Sequence, residues 1–143
     1  MKHVFIDTSV LFSAVNSKSG SSARVLQFCK KGKIKGSISD YVINELKKNV
    51  SSKLDQIGKQ RLNFLLLQVP FHIIEEPTRE EIALCEKVIN TKDAPILAAA
   101  IKSKATHLIS LDVSDFMKPK VREFAKPLII ISPRDFVHAY LSV

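Results

Sequence analysis

Asp7 closes the short apolar run His3-Val4-Phe5-Ile6, and Asp112 closes a second, His107-Leu108-Ile109-Ser110-Leu111. Runs of that length, rich in β-branched and aromatic residues, read as buried strands. Asp93 opens a strong helical pattern that leads into the second run, and Glu45 lies about one turn into another helical pattern. In open parallel α/β sheets, ligands bind beyond the carboxyl ends of the strands. Asp7 and Asp112 are therefore predicted on one rim, with the helix starts bearing Glu45 and Asp93 brought to the same rim. Four carboxylates in a partly desolvated cleft repel one another. A cation must neutralise them, and hard divalent ions with oxygen ligands, Mg²⁺ or Mn²⁺, suit such a donor set. A cation so held can activate water and offset the charge of a phosphate.

Each acid also has an ordinary explanation. Asp7 suits a turn or cap after its strand. Asp93 suits an N-cap, worth about 1 kcal/mol to its helix. Glu45 suits a solvated helix face, and Asp112 suits the start of a turn with Asp115 in the next one. These explanations serve singly, but they leave unexplained why all four acids fall near one rim. Ser9 reads as a first-turn hydroxyl or as a group supporting the site, and Asp40 as a helix-start residue. His3, His72, His107 and His138 share no ligand spacing.

The elements that must position these acids alternate in type. Strands are expected over His3–Ile6, Ile34–Ile38, Phe71–Ile74, His107–Leu111 and Leu128–Ile131. Helices are expected over Thr8–Val15, Ala23–Lys31 with Ser22 as cap, and Tyr41–Asn49 with Ser39 or Asp40 as cap. Further helices are expected over Leu54–Gln68, with Ile57, Leu62, Leu65 and Leu66 inward, and from Thr78 to Ile89. Thr78 and Glu81 have the spacing of a capping box. A helix over Asp93–Lys104 carries Pro95 in its first turn, where proline is tolerated. The segment 113–126 reads as a loop with a helical turn, and Pro133–Leu141 as a closing helix capped by Ser132. Strands alternating with helices of this length imply a three-layer α/β/α domain with a mainly parallel sheet of about five strands. No repeat or linker divides the chain, so residues 1–143 are expected to form a single domain.

The 22 Lys and Arg residues against 14 Asp and Glu give a formal charge of +8. A basic surface attracts polyanions, nucleic acid among them, and also serves solubility. Basic runs lie at Lys30, Lys31, Lys33 and Lys35, at Lys47, Lys48 and Lys53, and at Lys118, Lys120 and Arg122. A basic chain around an acidic, metal-holding cleft is what phosphodiester cleavage needs, because the lysines can hold the flanking phosphates. Cys29 and Cys85 lie in apolar-periodic segments and read as core residues; without CxxC or a Cys/His cluster a zinc site is not expected. No apolar run reaches the roughly 20 residues of a membrane span. With no cleavable leader legible at the N-terminus, a reducing, cytoplasmic location is the default expectation.

The segment Phe5-Ile6-Asp7-Thr8-Ser9-Val10-Leu11 resembles the opening of a PIN domain, the ribonuclease domain of VapC-type toxins. Ser39-Asp40-Tyr41-Val42-Ile43-Asn44-Glu45-Leu46 resembles that family's acidic helix. Lys92-Asp93-Ala94-Pro95-Ile96-Leu97-Ala98-Ala99-Ala100 and His107-Leu108-Ile109-Ser110-Leu111-Asp112-Val113-Ser114-Asp115-Phe116 resemble its next two acidic motifs. Ile131-Ser132-Pro133-Arg134-Asp135-Phe136 resembles its last strand and helix. The resemblance implies metal-dependent hydrolysis of RNA by water, with Asp7, Glu45, Asp93 and Asp112 as catalytic and metal-binding acids. It further implies Asp115 as an additional metal-binding acid and Ser9 as a supporting hydroxyl. The partners it implies are RNA, a small antitoxin if the chain is a toxin, and a second copy of the chain, to which Leu67 is a candidate contact.

Competing functions fare worse on particular residues. An inactive RNA-binding relative would be expected to have lost one of the acids, yet all four positions are acidic. A phosphatase using Asp7 as nucleophile wants a second acid two residues on, where Ser9 stands. The acidic pair and the lysine after the last strand that a phosphoacceptor domain needs are not found in the expected places. Nucleotide-binding glycine loops, GxGxxG or GxxxxGK[ST], do not occur.

Overall fold

The computed structural model describes residues 1–141. Five strands form one sheet: β1 Lys2–Ile6, β2 Ile34–Ile38, β3 His72–Ile73, β4 His107–Ile109 and β5 Ile129–Ile131. Their order is β3-β2-β1-β4-β5, and every neighbouring pair is parallel. Helices α1 Thr8–Asn16 and α2 Ser21–Lys30 join β1 to β2, and α3 Asp40–Lys53 and α4 Gln56–Gln68 join β2 to β3. Helices α5 Arg79–Glu86 and α6 Ala94–Lys102 lead to β4, and α7 Val113–Phe116 and α8 Pro119–Ala125 lead to β5. The chain closes on α9 Pro133–Phe136 and a π-helical segment, Val137–Leu141.

The chain steps outward from β1 to β3 and then crosses back to β4 and β5. Right-handed crossovers put α1 to α4 on one face and α5 to α8 on the other. In keeping with this, α1 packs on α2, α3 and α4, while α5 packs on α6. The expected three-layer architecture is met, with a sheet that is wholly parallel. The reversal of direction falls between β1 and β4, which opens a crevice at their carboxyl ends.

Burial explains the apolar runs. Val4, Phe5 and Ile6 are fully buried, as a central parallel strand covered on both faces requires. Helix α6 is buried almost all round, from Ala94 through Ala100. Its alanines let α5 pack closely against it without forfeiting helix propensity. His107 meets Phe136 and Tyr140 edge-on, and those two rings meet at a tilt, a cluster that fastens the closing segment to the foot of β4.

Several boundaries differ from expectation. Strand β4 stops at Ile109 rather than Leu111, because Leu111 N–H is taken by the Ser9 hydroxyl at 3.1 Å instead of a strand partner. Helix α2 has Gly20, at φ 99°, in the cap place, and Ser22 is buried inside the first turn instead of capping. Ser39 caps α3 through Val42 N–H, and that helix runs on to Lys53. Asp55 caps α4, which turns Ile57 outward to 57% exposure where an inward position was expected. The Thr78–Glu81 capping box forms as expected, though α5 ends at Glu86. The segment 113–126 folds into two short helices, and Ser132 caps α9.

Gly36 marks a close approach of α2 to β2. A Cβ there would meet Cys29 Sγ at 2.9 Å and Ile6 Cδ1 at 3.3 Å. Gly36→Ala should destabilise the fold by about 1–3 kcal/mol, the usual range for overpacking. Urea unfolding measures it, and adding Cys29→Ala should recover part of the loss. Equal stability of Gly36→Ala and the parent would show that the helix gives way freely.

Candidate active site

Asp93, Asp112 and Asp115 converge at the rim. Each offers a carboxylate oxygen, and these oxygens lie within 4.8 Å of one another. Asp93 occupies the N-cap position of α6 but makes no side-chain cap bond. Its Oδ2 instead accepts from Asn90 Nδ2 at 2.8 Å, while Asn90 Oδ1 accepts from Asp93 N–H at 2.9 Å. Asn90 thus clamps the carboxylate toward its acidic neighbours. Asp112 Oδ1 accepts from Asp115 N–H and from Ser114 Oγ, both at 3.0 Å. Asp112 therefore does cap α7, and that short turn is what lifts Asp115 to the cluster. Burial raises the Asp93 pKa, the Asn90 bond opposes this, and the charges of Asp112 and Asp115 add to the rise.

Asp7 lies beside this cluster, deeper in the crevice, with only 4% of its surface exposed. The register pairs Ile6 with Ile109, so the next residues, Asp7 and Ser110, stand side by side. Asp7 Oδ2 accepts from Ser9 Oγ and Ser110 Oγ, each at 2.7 Å. Those hydroxyls are themselves held, since Ser9 Oγ accepts from Leu111 N–H and Ser110 Oγ from Asp112 N–H. The network joins the end of β1 to the turn that carries Asp112. Burial pushes the Asp7 pKa up to about 6 against the pull of the two hydroxyls, and the charges of Asp93 and Glu45 add to it.

Glu45 lies half-buried on α3, within electrostatic reach of Asp7. Neither Asp7 nor Glu45 shares the close set formed by Asp93, Asp112 and Asp115. The sequence singled out four main acids and Asp115 as an addition. The tertiary structure makes Asp115 one of three tightly grouped carboxylates and sets Asp7 and Glu45 around them.

Three further residues of the site escaped the sequence reading. Ser110 was visible only as a polar residue inside an apolar run, a signal that a buried hydroxyl has a partner. Asn90, three residues before Asp93, had only the look of a helix break. Tyr41 donates its hydroxyl to Lys92 O at 2.8 Å and ties α3 to the loop before α6. Burial raises the Tyr41 pKa, and the charges of Glu45 and Asp93 add to it.

An oxygen-only donor set of three grouped carboxylates fits a hard divalent cation. The cysteines do not suit thiolate ligation of a metal, since both are buried and hold their protons strongly: burial pushes Cys29 up to about 12 and Cys85 up to about 11. A separate groove of about 700 Å³ runs between α1, α2 and α4, with Ile57 and Phe64 on its wall and Lys18, Lys30 and Arg61 on its rim. No helix among the described residues is long and apolar enough to cross a membrane.

The family profile of the PIN domain matches residues 3–114. No curated protein matches the sequence. Several solved structures share the fold. One is VapBC2 from Rickettsia felis bound to a DNA fragment from their promoter, at 19% identity and TM-score 0.68, covering 91% of this chain and 98% of that one. Another is DNA-bound VapBC from Salmonella typhimurium, at 10% identity and TM-score 0.66, covering 93% and 99%. A third is PAE2754 from Pyrobaculum aerophilum, at 17% identity and TM-score 0.65, covering 96% and 88%.

Proposed function

This chain belongs to the PIN-domain family, and from that membership we propose that it is a metal-dependent endoribonuclease. The observation that carries the reading is the convergence of Asp93, Asp112 and Asp115 at the crevice between β1 and β4. In this reading those three carboxylates hold Mg²⁺ or Mn²⁺, and Asp7 and Glu45 complete the acidic surround. When bound, the cation supplies positive charge against a phosphate and lowers the pKa of water. Ser9 and Ser110 fix the Asp7 rotamer, and Asn90 fixes that of Asp93. Such supporting bonds commonly matter by about 10–100-fold in metal affinity or activity.

We further propose partners for this nuclease. The VapC-type resemblance and the VapBC structures support a toxin of a toxin–antitoxin pair, its antitoxin closing the cleft, in the cytoplasm. Leu67, 85% exposed, and Phe64, 62% exposed, give α4 an apolar surface suited to protein contact, and we propose that the chain forms a homodimer.

The test is cleavage of a panel of structured and single-stranded RNAs with Mn²⁺, Mg²⁺ or EDTA. Cleavage with either cation, abolished by EDTA, is the expected result. Cleavage that persists undiminished in EDTA would sink the metal-dependent reading. Intact RNA across a panel that includes transfer, ribosomal and messenger species would sink the nuclease.

A further inference from the structure

We infer that Lys87, Lys118 and Lys120 form a binding site for an RNA phosphate next to the one being cut, in a cavity that opens off the acidic cluster. The inference rests on the nuclease reading and names where its substrate's backbone runs. The cavity, about 170 Å³, is lined by Lys87 and Glu86 from the end of α5, by Lys118 from the α7–α8 link and Lys120 from the start of α8, and by Asn90 and Asp115. Two of these residues belong to the acidic centre: Asp115 is one of its carboxylates, and Asn90 clamps another. A chain passing over the centre therefore reaches these lysines in its next step. At about 30 Å³ per water, the space holds roughly six waters, room for a phosphate with part of its ribose.

The charges favour an anion. Three lysines face the carboxylates of Glu86 and Asp115, and Asp115 is also drawn toward the centre. Lys118 Nζ stands 3.8 Å from Asp115 Oδ1, with Lys118 exposed and Asp115 partly so. A solvated pair at that distance is weak, so Lys118 is readily surrendered to a phosphate. The other basic runs lie elsewhere. Lys30 borders the apolar groove, Lys53 packs over the Phe12 ring, and Lys47 and Lys48 point to solvent on α3. Among the described residues that line the cavity, none is an aromatic on which a base could stack. Its contribution is therefore to backbone binding and independent of sequence.

The test compares the chain with Lys87→Gln/Lys118→Gln/Lys120→Gln and with the matching triple arginine variant. Binding of two short single-stranded RNAs of unrelated sequence is read by anisotropy across a salt series, in an Asp93→Asn background that prevents turnover. KM and kcat are read without that background. The glutamine variant should bind both RNAs at least about tenfold more weakly at low salt. Its salt slope should be shallower by about 0.7, the contribution of the one single-strand phosphate that the site neutralises. KM should rise with kcat within about twofold, and arginine should restore the slope. Unchanged affinity and slope overturn the inference while leaving the nuclease untouched. RNA binding that shows these changes in a parent that never cleaves would retain the phosphate site and sink the nuclease. A parent that binds no RNA sinks both.

Discussion

Asp93→Asn should lower metal-dependent RNA cleavage by roughly 10³-fold while leaving the fold intact. The asparagine keeps the geometry, because its amide oxygen can still accept from Asn90 Nδ2. It loses the negative charge at the point where α6, α7 and the β4 turn bring three carboxylates within 4.8 Å. A bound cation contributes several kcal/mol of transition-state stabilisation. Losing about 4 kcal/mol of it corresponds to about three powers of ten. Stability should not fall, since burial and the neighbouring acids already hold the Asp93 carboxyl above its ordinary pKa. Single-turnover cleavage with Mn²⁺ and a thermal melt in EDTA read the two effects separately. Asp40→Asn, at the exposed start of α3, is the control and should cleave normally. An Asp93→Asn protein that cleaves at the parent rate would remove Asp93 from the centre.

Asp7→Asn should do two opposite things at once: abolish cleavage and stabilise the metal-free protein. The Asp7 carboxyl has a pKa of about 6 in the fold against 3.8 ordinarily. A raised folded value means the fold binds the proton more tightly than the unfolded chain does. That contribution is complete below pH about 4 and is lost as pH rises through about 6. At pH 8 the ionised, buried carboxylate therefore costs about 3 kcal/mol relative to its neutral form. Asparagine keeps an acceptor for Ser9 and Ser110 and carries no charge. In EDTA at pH 8 the variant should melt higher by on the order of 10 °C, and the gap should close toward pH 4. Mn²⁺ should raise the melting temperature of the parent and much less that of the variant, by linkage. Identical melts in EDTA at pH 8 would show that the burial of Asp7 carries no cost. A site that destabilises its own fold until it is loaded is a common trade between stability and function.

Much of the architecture is set by local pattern. The runs at Val4-Phe5-Ile6 and Leu108-Ile109 read as strands buried on both faces, and the Thr78–Glu81 spacing specifies its helix start. Those signals depend on neighbours within a few residues, so they can be read without the fold. Ile57 shows where such reading gives out. Its helix is right, but the Asp55 cap fixes a rotation that turns the side chain outward. Helical periodicity alone cannot choose between two adjoining faces when both carry apolar residues.

The sequence by itself determined which acids were available and that strand ends would bring Asp7 and the Asp112 turn to one rim. The tertiary structure decided which of them meet. Ser110 holds Asp7 and the Asp112 backbone together across 103 positions of sequence, and one turn of α7 then delivers Asp115 beside Asp93. Asp7 and Glu45 stay a step back, because Asp7 is anchored to β1 and Glu45 to α3, whose positions follow from how the layers pack. The same holds for the lysines at the cavity, where Lys87 and Lys118 come from elements on either side of β4. Carboxylate type and strand period are local properties written residue by residue. The few ångströms that separate a ligand set from a scatter of acids are set by long-range packing, which no local pattern encodes.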